Sequence, residues 1–310
     1  MDVHNCANCL KIRVDATDYI KGVNSPIVFK ANTTNWNPYL KFFESQKLQF
    51  ETDGCVLFTA QESFDGQMEY LISSGQISAS LLSLFNQLGY MDTNSLDGKA
   101  HFHSSARYLQ IMTGNGQNGN SLQDPWNVMR TYGVLPWTDL PYDSTITLEE
   151  YFTTITPAQT AKAAQFLAAI GGKNAIQYHW VNASGNTNIP SMVNALPQAP
   201  LCLGTTVCEP WDQLNPPVCT ELNAAHSTLA YEILPNDNVY ILDHYVPYDK
   251  ILNAGYPICY VVQGILSPIP VPSIVLPPIP VLPTNPTAQQ ELATLDLIAS
   301  WLKTFLSAIQ

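Results

Sequence analysis

The spacing of apolar residues predicts helices in the first half of the chain. From Gly54 onward, apolar side chains recur at steps of three and four residues, which places them on one helical face: Leu57, Ala60, Phe64, Met68 and Leu71. Three further helices are predicted over about 78–89, 125–132 and 156–171. The last of these begins at a Thr-Pro pair and ends at a Gly-Gly pair, which are typical helix boundaries.

The second half of the chain changes to short apolar runs that are typical of β-strands. These runs cover residues 175–181, 201–207, 227–234, 239–242 and 256–266. The sequence Pro-Asn-Asp-Asn at 235–238 predicts a turn between two of them. Helices followed by an antiparallel sheet indicate an α+β fold with two subdomains.

The composition changes after residue 266. Residues 267–286 read SPIPVPSIVLPPIPVLPTNP, and their prolines favour an extended linker close to polyproline II. Residues 287–310 place apolar side chains at three- and four-residue steps, which predicts an amphipathic C-terminal helix. This tail either folds back onto its parent domain or docks onto a protein partner. The predicted organisation is therefore an N-terminal extension (1–30), a globular domain (31–266), the linker and the terminal helix.

Composition and charge narrow the function classes. The chain is 46% hydrophobic and 12% charged, which fits a folded core and excludes wholesale disorder. Its net charge of −12 argues against nucleic acid as a partner. No run of 18 apolar residues predicts a membrane span, and the N-terminus lacks the pattern of a signal peptide. We expect a protein that is cytoplasmic at synthesis and that can be incorporated into a particle or assembly.

Cysteine and histidine spacing gives little support for a metal site. Cys6 and Cys9 form a CxxC pair, which suits a metal or a tight disulfide, but no second pair follows at matching spacing. His101 and His103 share one face of any strand, without a third ligand nearby in the sequence. We therefore expect no metal and no organic cofactor. Without an export signal, we expect reduced thiols.

A candidate nucleophile stands where the first long helix begins. Cys55 follows Gly54 directly, and a helix N-terminus is a place where proteins stabilise a thiolate. His226 begins the strand HSTLAYEIL and Asp243 ends the strand VYILD, so a hairpin can bring the imidazole and the carboxylate together. Gln49 can direct its amide N–H, beside the Cys55 backbone N–H, at a developing oxyanion.

These residues and their contexts resemble the papain-like cysteine peptidases. The six-residue spacing of Gln49 and Cys55 matches that family, and CVLFTA from Cys55 onward is similar to its C-x-x-F-[ST]-A helix start. Segments 125–142 and 192–207 resemble the family's helix before a YPY-like sequence and the helix and strand before its histidine. Asp243 stands where the plant and lysosomal enzymes have Asn, more like the bacterial double-glycine peptidases.

The resemblance implies a papain-like fold with a helical part and an antiparallel sheet or barrel part. It implies a peptidase in which Cys55 attacks a peptide or isopeptide carbonyl and forms a thioester. His226 is then the acid and base, Asp243 orients it, and Gln49 stabilises the oxyanion. The alternative is a non-catalytic papain-fold component of a larger assembly, such as a virus particle, docked through residues 267–310.

Overall fold

The computed structural model describes residues 31, 33–207, 210–219 and 226–267 of the chain. The predicted N-terminal extension, with Cys6 and Cys9, lies outside the described residues. So do the predicted terminal helix and the linker from residue 268 onward. The predicted domain boundaries and the docking role of the tail therefore stay predictions.

The helices follow the predicted apolar pattern and capping signals. In the described residues they are α1 (Cys55–Ser73), α2 (Ala79–Leu88), α3 (Ala106–Thr113), α4 (Asp124–Tyr132), α5 (Leu148–Tyr151), α6 (Pro157–Ala169) and α7 (Ile189–Ala195), with 3-10 turns at Asn37–Tyr39, Trp137–Asp139 and Gly172–Ala175. The Ser78 side chain accepts from Leu81 N at the start of α2, and Thr156 with Gln159 forms a capping box at the start of α6. The predictions of α1, α2, α4 and α6 are confirmed. The apolar pattern does not predict α3.

The strands form one large antiparallel sheet and one small hairpin. They are β1 (Met91–Thr93), β2 (Ala100–Phe102), β3 (Ile176–Asn182), β4 (Leu201–Thr205), β5 (His226–Ile233), β6 (Val239–Leu242), β7 (Asp249–Leu252) and β8 (Ile258–Leu266). The large sheet has the order β3-β8-β4-β5-β6-β7, and β1 pairs with β2. The five predicted strands are present, and β7 extends the sheet by forming a hairpin with β6.

Helix α1 joins the helical part of the fold to the sheet. Its predicted apolar stripe from Leu57 to Leu71 is buried, and α1 contacts β4, β5 and β8 as well as α3 and α4. On β8, a Cβ added at Gly264 would lie 2.2 Å from the Trp126 ring of α4, so the ring packs directly on the strand backbone. The predicted α+β class, with a helical part and an antiparallel sheet part, is confirmed. No helix of the described residues is long and apolar enough to cross a membrane.

The cysteines differ in their redox state. Cys219 is disulfide-bonded. The expectation of reduced thiols is therefore wrong at Cys219. Cys55, Cys202 and Cys259 carry thiols and are all buried.

Candidate active site

Cys55 is the first residue of α1, and its side chain is fully buried. Gly54 is the N-cap, and its carbonyl accepts from Leu57 N at 2.8 Å and from Phe58 N at 3.1 Å. Within α1, all of which the structure describes, the first turn holds no acidic residue. The partial positive charge of the helix N-terminus therefore acts on the Cys55 sulfur without an opposing carboxylate in that turn.

The loop before Cys55 is held by a buried glutamine. Gln110 Nε2 donates to Thr52 O at 2.6 Å and to Gly116 O at 3.1 Å. A Cβ added at Gly54 would lie 2.6 Å from Gln110 Oε1, so a side chain at this position would displace the glutamine. Gln110 therefore fixes the approach to Cys55 and ties it to the segment around Gly116.

His226 and Asp243 form a buried pair on the sheet. Strand β5 begins at His226, and Asp243 directly follows β6, which is the neighbour of β5 in the sheet. His226 Nε2 lies 2.6 Å from Asp243 Oδ1, and both side chains are fully buried. Because Nε2 faces the carboxylate, Nδ1 is the ring nitrogen that is directed away from it.

Asp243 accepts hydrogen bonds at both carboxylate oxygens. Besides the contact with His226, Oδ1 accepts from His244 N at 2.8 Å. Oδ2 accepts from Trp211 Nε1 at 2.8 Å and from Lys250 Nζ at 2.7 Å. Burial alone raises the pKa of Asp243, but His226 and Lys250 outweigh it and hold that pKa well below its usual range. Asp243 is therefore ionised at neutral pH and can hold the His226 ring in one orientation.

The two glutamines before Cys55 have different surroundings. Gln49 is exposed, and its Nε2 donates to the carbonyl of Ser144. Gln46 is fully buried, and its Nε2 donates to Tyr245 OH at 2.6 Å. The centroids of the Tyr245 and His226 rings are 5.4 Å apart. Through Tyr245, Gln46 is therefore connected to the surroundings of the His226–Asp243 pair. The oxyanion role of Gln49 stays a prediction.

Sequence reasoning missed Trp211 and Lys250 as partners of Asp243. Trp211 lies in the connection between β4 and β5, where no local pattern marks it. Lys250 left a signal, because it shares the buried face of β7 with Leu252. A lysine at an inward position of a strand requires an acceptor with opposite charge, and the nearby Asp243 is the partner that it finds.

The histidine pair considered as a metal site has carboxylate partners. His101 Nδ1 lies 2.9 Å from Glu69 Oε2, and its Nε2 lies 2.9 Å from Asp97 Oδ2. His103 Nε2 lies 2.6 Å from Glu44 Oε1. Across the part of the chain that the structure describes, no group of three or more His, Cys, Asp or Glu side chains is arranged to hold a metal ion.

Several solved structures share this fold. The chain is similar to digestive procathepsin L 3 of the Tenebrio molitor larval midgut, with 12% identity, 84% of this chain and 77% of that chain covered, and a TM-score of 0.52. It is also similar to xylellain, a cysteine protease from Xylella fastidiosa, with 12% identity, coverage of 84% and 96%, and a TM-score of 0.51. No protein-family model and no curated protein sequence matches the chain. These similarities show a papain-like fold.

Proposed function

We propose that the chain is a papain-like cysteine peptidase that hydrolyses a peptide or isopeptide bond. The observation that carries the proposal is the buried contact between His226 and Asp243, on a sheet that packs against the helix beginning at Cys55. The papain-like fold shared with the cysteine protease xylellain supports the same chemistry.

The proposed acylation step uses Cys55 as nucleophile and His226 as base. The Cys55 thiol gives its proton to His226, and the thiolate sulfur forms a bond to the carbonyl carbon while the π electrons move to oxygen. The Cys55 backbone N–H stabilises this oxyanion, together with Gln49 once its amide leaves the Ser144 carbonyl. His226 then gives its proton to the leaving nitrogen, the C–N bond breaks, and a thioester remains.

The proposed deacylation step returns the enzyme to its starting state. His226 takes a proton from water as the water oxygen adds to the thioester carbonyl. The carbonyl reforms, the C–S bond breaks, and the released thiolate of Cys55 pairs again with the protonated His226. Asp243 orients His226 and keeps its Nδ1 directed at the sulfur in both steps.

The glycine-rich segment 114–119 is the proposed contact for the substrate backbone. Gln117 Nε2 donates to Glu51 O at 2.5 Å, so this segment lies beside the loop that leads to Cys55. Gly114 and Gly116 have φ values of 69° and 57°, which glycine adopts readily. Such a segment exposes backbone groups that an extended peptide can pair with.

Labelling with an epoxide inhibitor of the E-64 type tests the proposed function. The folded full chain is incubated with the inhibitor, and mass spectrometry of its digest locates the adduct. We expect an adduct on Cys55 and none on Cys202, because burial raises the pKa of the Cys202 thiol to about 12. Cys55→Ala is expected to abolish labelling, whereas the matched Cys202→Ala variant retains it. A folded chain that forms no Cys55 adduct contradicts the proposal.

A further inference from the structure

Lys250 is a fully buried lysine next to the His226–Asp243 pair. Its Nζ donates to Asp243 Oδ2 at 2.7 Å, to Tyr245 O at 2.8 Å and to Pro247 O at 2.5 Å. These three acceptors match the three protons of an ammonium group. The chain between Asp243 and Lys250 therefore wraps around the lysine head and holds it against the carboxylate.

Hydrogen bonding alone does not explain a lysine at this position. Asp243 Oδ2 already accepts from Trp211 Nε1, and Oδ1 accepts from His244 N. Burying an ammonium costs more free energy than burying a neutral donor that could make the same hydrogen bond. What Lys250 adds beyond a neutral donor is its positive charge.

We propose that Lys250 is a positioning residue that offsets the charge of Asp243 and thereby sets the upper pH limit at which His226 remains protonated beside Cys55. The proposal rests on the proposed function, in which His226 must both hold a proton and release it to the leaving nitrogen. A carboxylate without a counter-charge stabilises the imidazolium and makes it a weaker acid. Paired with Lys250, Asp243 still orients the ring but adds little net charge.

The other groups around the pair leave Lys250 with this role. Among the described residues, apart from Lys250 and the proposed nucleophile Cys55, the titratable or charged groups that face the pair or its ring neighbour are Glu51, His244, Tyr245 and Tyr256. Burial lowers the pKa of His244 to about 4 and raises that of Tyr256, so both are uncharged at neutral pH. Glu51 contacts the Tyr245 hydroxyl, 2.7 Å away, rather than the pair itself.

An NMR titration of the His226 ring in the full chain tests the proposal directly. The His226 signal is assigned from its loss in His226→Gln, and its midpoint is measured in the wild type and in Lys250→Met. We expect Lys250→Met to raise the midpoint by about 1 to 3 units, because Asp243 then acts without a counter-charge. The double variant Asp243→Asn/Lys250→Met, which removes both charges, is expected to return the midpoint close to that of the wild type.

The double variant provides a second measurement if Lys250→Met does not fold. A double variant whose midpoint falls by about 1 unit or more overturns the proposal, because Asp243 then acted on His226 without being offset. A folded Lys250→Met with the wild-type midpoint overturns it as well. A purely structural role of Lys250 predicts that outcome, with lower stability and an unchanged midpoint.

Alkylation of Cys55 by iodoacetamide, followed across pH in the same proteins, separates this proposal from the proposed function. If Cys55 pairs with His226, its alkylation persists at acidic pH because the thiolate is already formed there. If the rate of Cys55 alkylation rises only once, near the pKa of an ordinary thiol, the proposed function is contradicted. The His226 titration still decides the role of Lys250 in that case, because it does not depend on the reactivity of Cys55.

Discussion

Asp65 is a buried carboxyl group that is expected to make the stability of this protein depend on pH. It lies on α1 and accepts from Ser104 N at 2.8 Å, from Ser104 Oγ at 2.6 Å and from Gln61 Nε2 at 2.6 Å. Burial raises the pKa of Asp65 from 3.8 to about 7, although His103 and the Ser104 hydrogen bonds lower it. The folded chain therefore binds this proton more tightly than the unfolded chain does.

The difference between the pKa of Asp65 in the folded chain and in the unfolded chain determines the sign and the size of the change in stability with pH. Because the folded-state pKa is the higher one, the stability contributed by the proton is fully present below about pH 4 and is lost as the pH rises through 7. A difference of about 3 units, at about 1.4 kcal/mol per unit, gives an upper limit of about 4 kcal/mol in unfolding free energy. Burial also raises the pKa of Glu62, one turn earlier on α1, so its proton adds to the trend of the wild type.

The variant Asp65→Asn isolates the contribution of this proton. The amide of this variant does not titrate. Its N–H donors lie near the donors of Gln61 and Ser104, which lowers the stability by an amount that does not change with pH. The unfolding free energy of the wild type minus that of the variant is expected to fall by about 3 kcal/mol between pH 5 and pH 8.5. Over most of this range His103 stays protonated, because the contacts with Asp92 and Glu44 outweigh burial and raise its pKa to about 9.

Urea denaturation followed by tryptophan fluorescence measures this difference at several pH values. Asp212→Asn is the matched control, because it makes the same chemical change at an exposed position. A difference between wild type and Asp65→Asn that stays constant from pH 5 to pH 8.5 refutes the reasoning, and it means that Asp65 is ionised in the folded chain throughout.

Three further predictions concern packing, the oxyanion and a buried thiol. Gly264→Ala is expected to lower the unfolding free energy by about 1 to 3 kcal/mol in urea denaturation, because its methyl group meets the Trp126 ring; an unchanged midpoint contradicts that packing. Gln49→Ala is expected to reduce kcat/KM on a peptide substrate by about 100- to 1,000-fold if Gln49 donates to the oxyanion. Full activity in Gln49→Ala, with activity lost in a folded Gln46→Ala, assigns the role to Gln46 instead. Iodoacetamide at pH 8 is expected to label Cys202 only after denaturation, because burial raises the pKa of its thiol to about 12. Labelling is followed by mass spectrometry. If Cys202 in the folded chain is labelled as fast as in the denatured chain, the prediction is wrong.

Local sequence patterns were sufficient for the elements that carry the candidate site. The apolar stripe of α1 is continuous from Leu57 to Leu71, about four turns, so the start of the helix at Cys55 could be predicted to within a residue. The turn at 235–238 joins two apolar runs. This pattern was enough to predict that the start of one strand, at His226, lies beside the end of the next strand, at Asp243. Strand β7 was missed because it begins with an aspartate and a lysine, two residue types that are depleted in strands.

The direction of side chains in the loop before Cys55 could not be predicted. A spacing of six residues identified Gln49, but spacing does not determine which way a loop residue points. Asp53 has a φ of 53°, in the left-handed region, so the chain turns sharply just before the helix. In the loop that leads to this turn, Gln46 is buried and Gln49 is exposed. Only the folded loop distinguishes the two amides.

The charge that acts on His226 could not be predicted from the identity of Asp243 alone. Taken by itself, an aspartate beside an imidazole implies a full negative charge. The pairing of Ile241 with Lys250 in the β6–β7 hairpin places an ammonium group against the same carboxylate. An orienting residue therefore has to be considered together with its counter-charge. It follows that an aspartate with a buried lysine can orient a histidine while leaving its acidity close to the value that proton transfer requires.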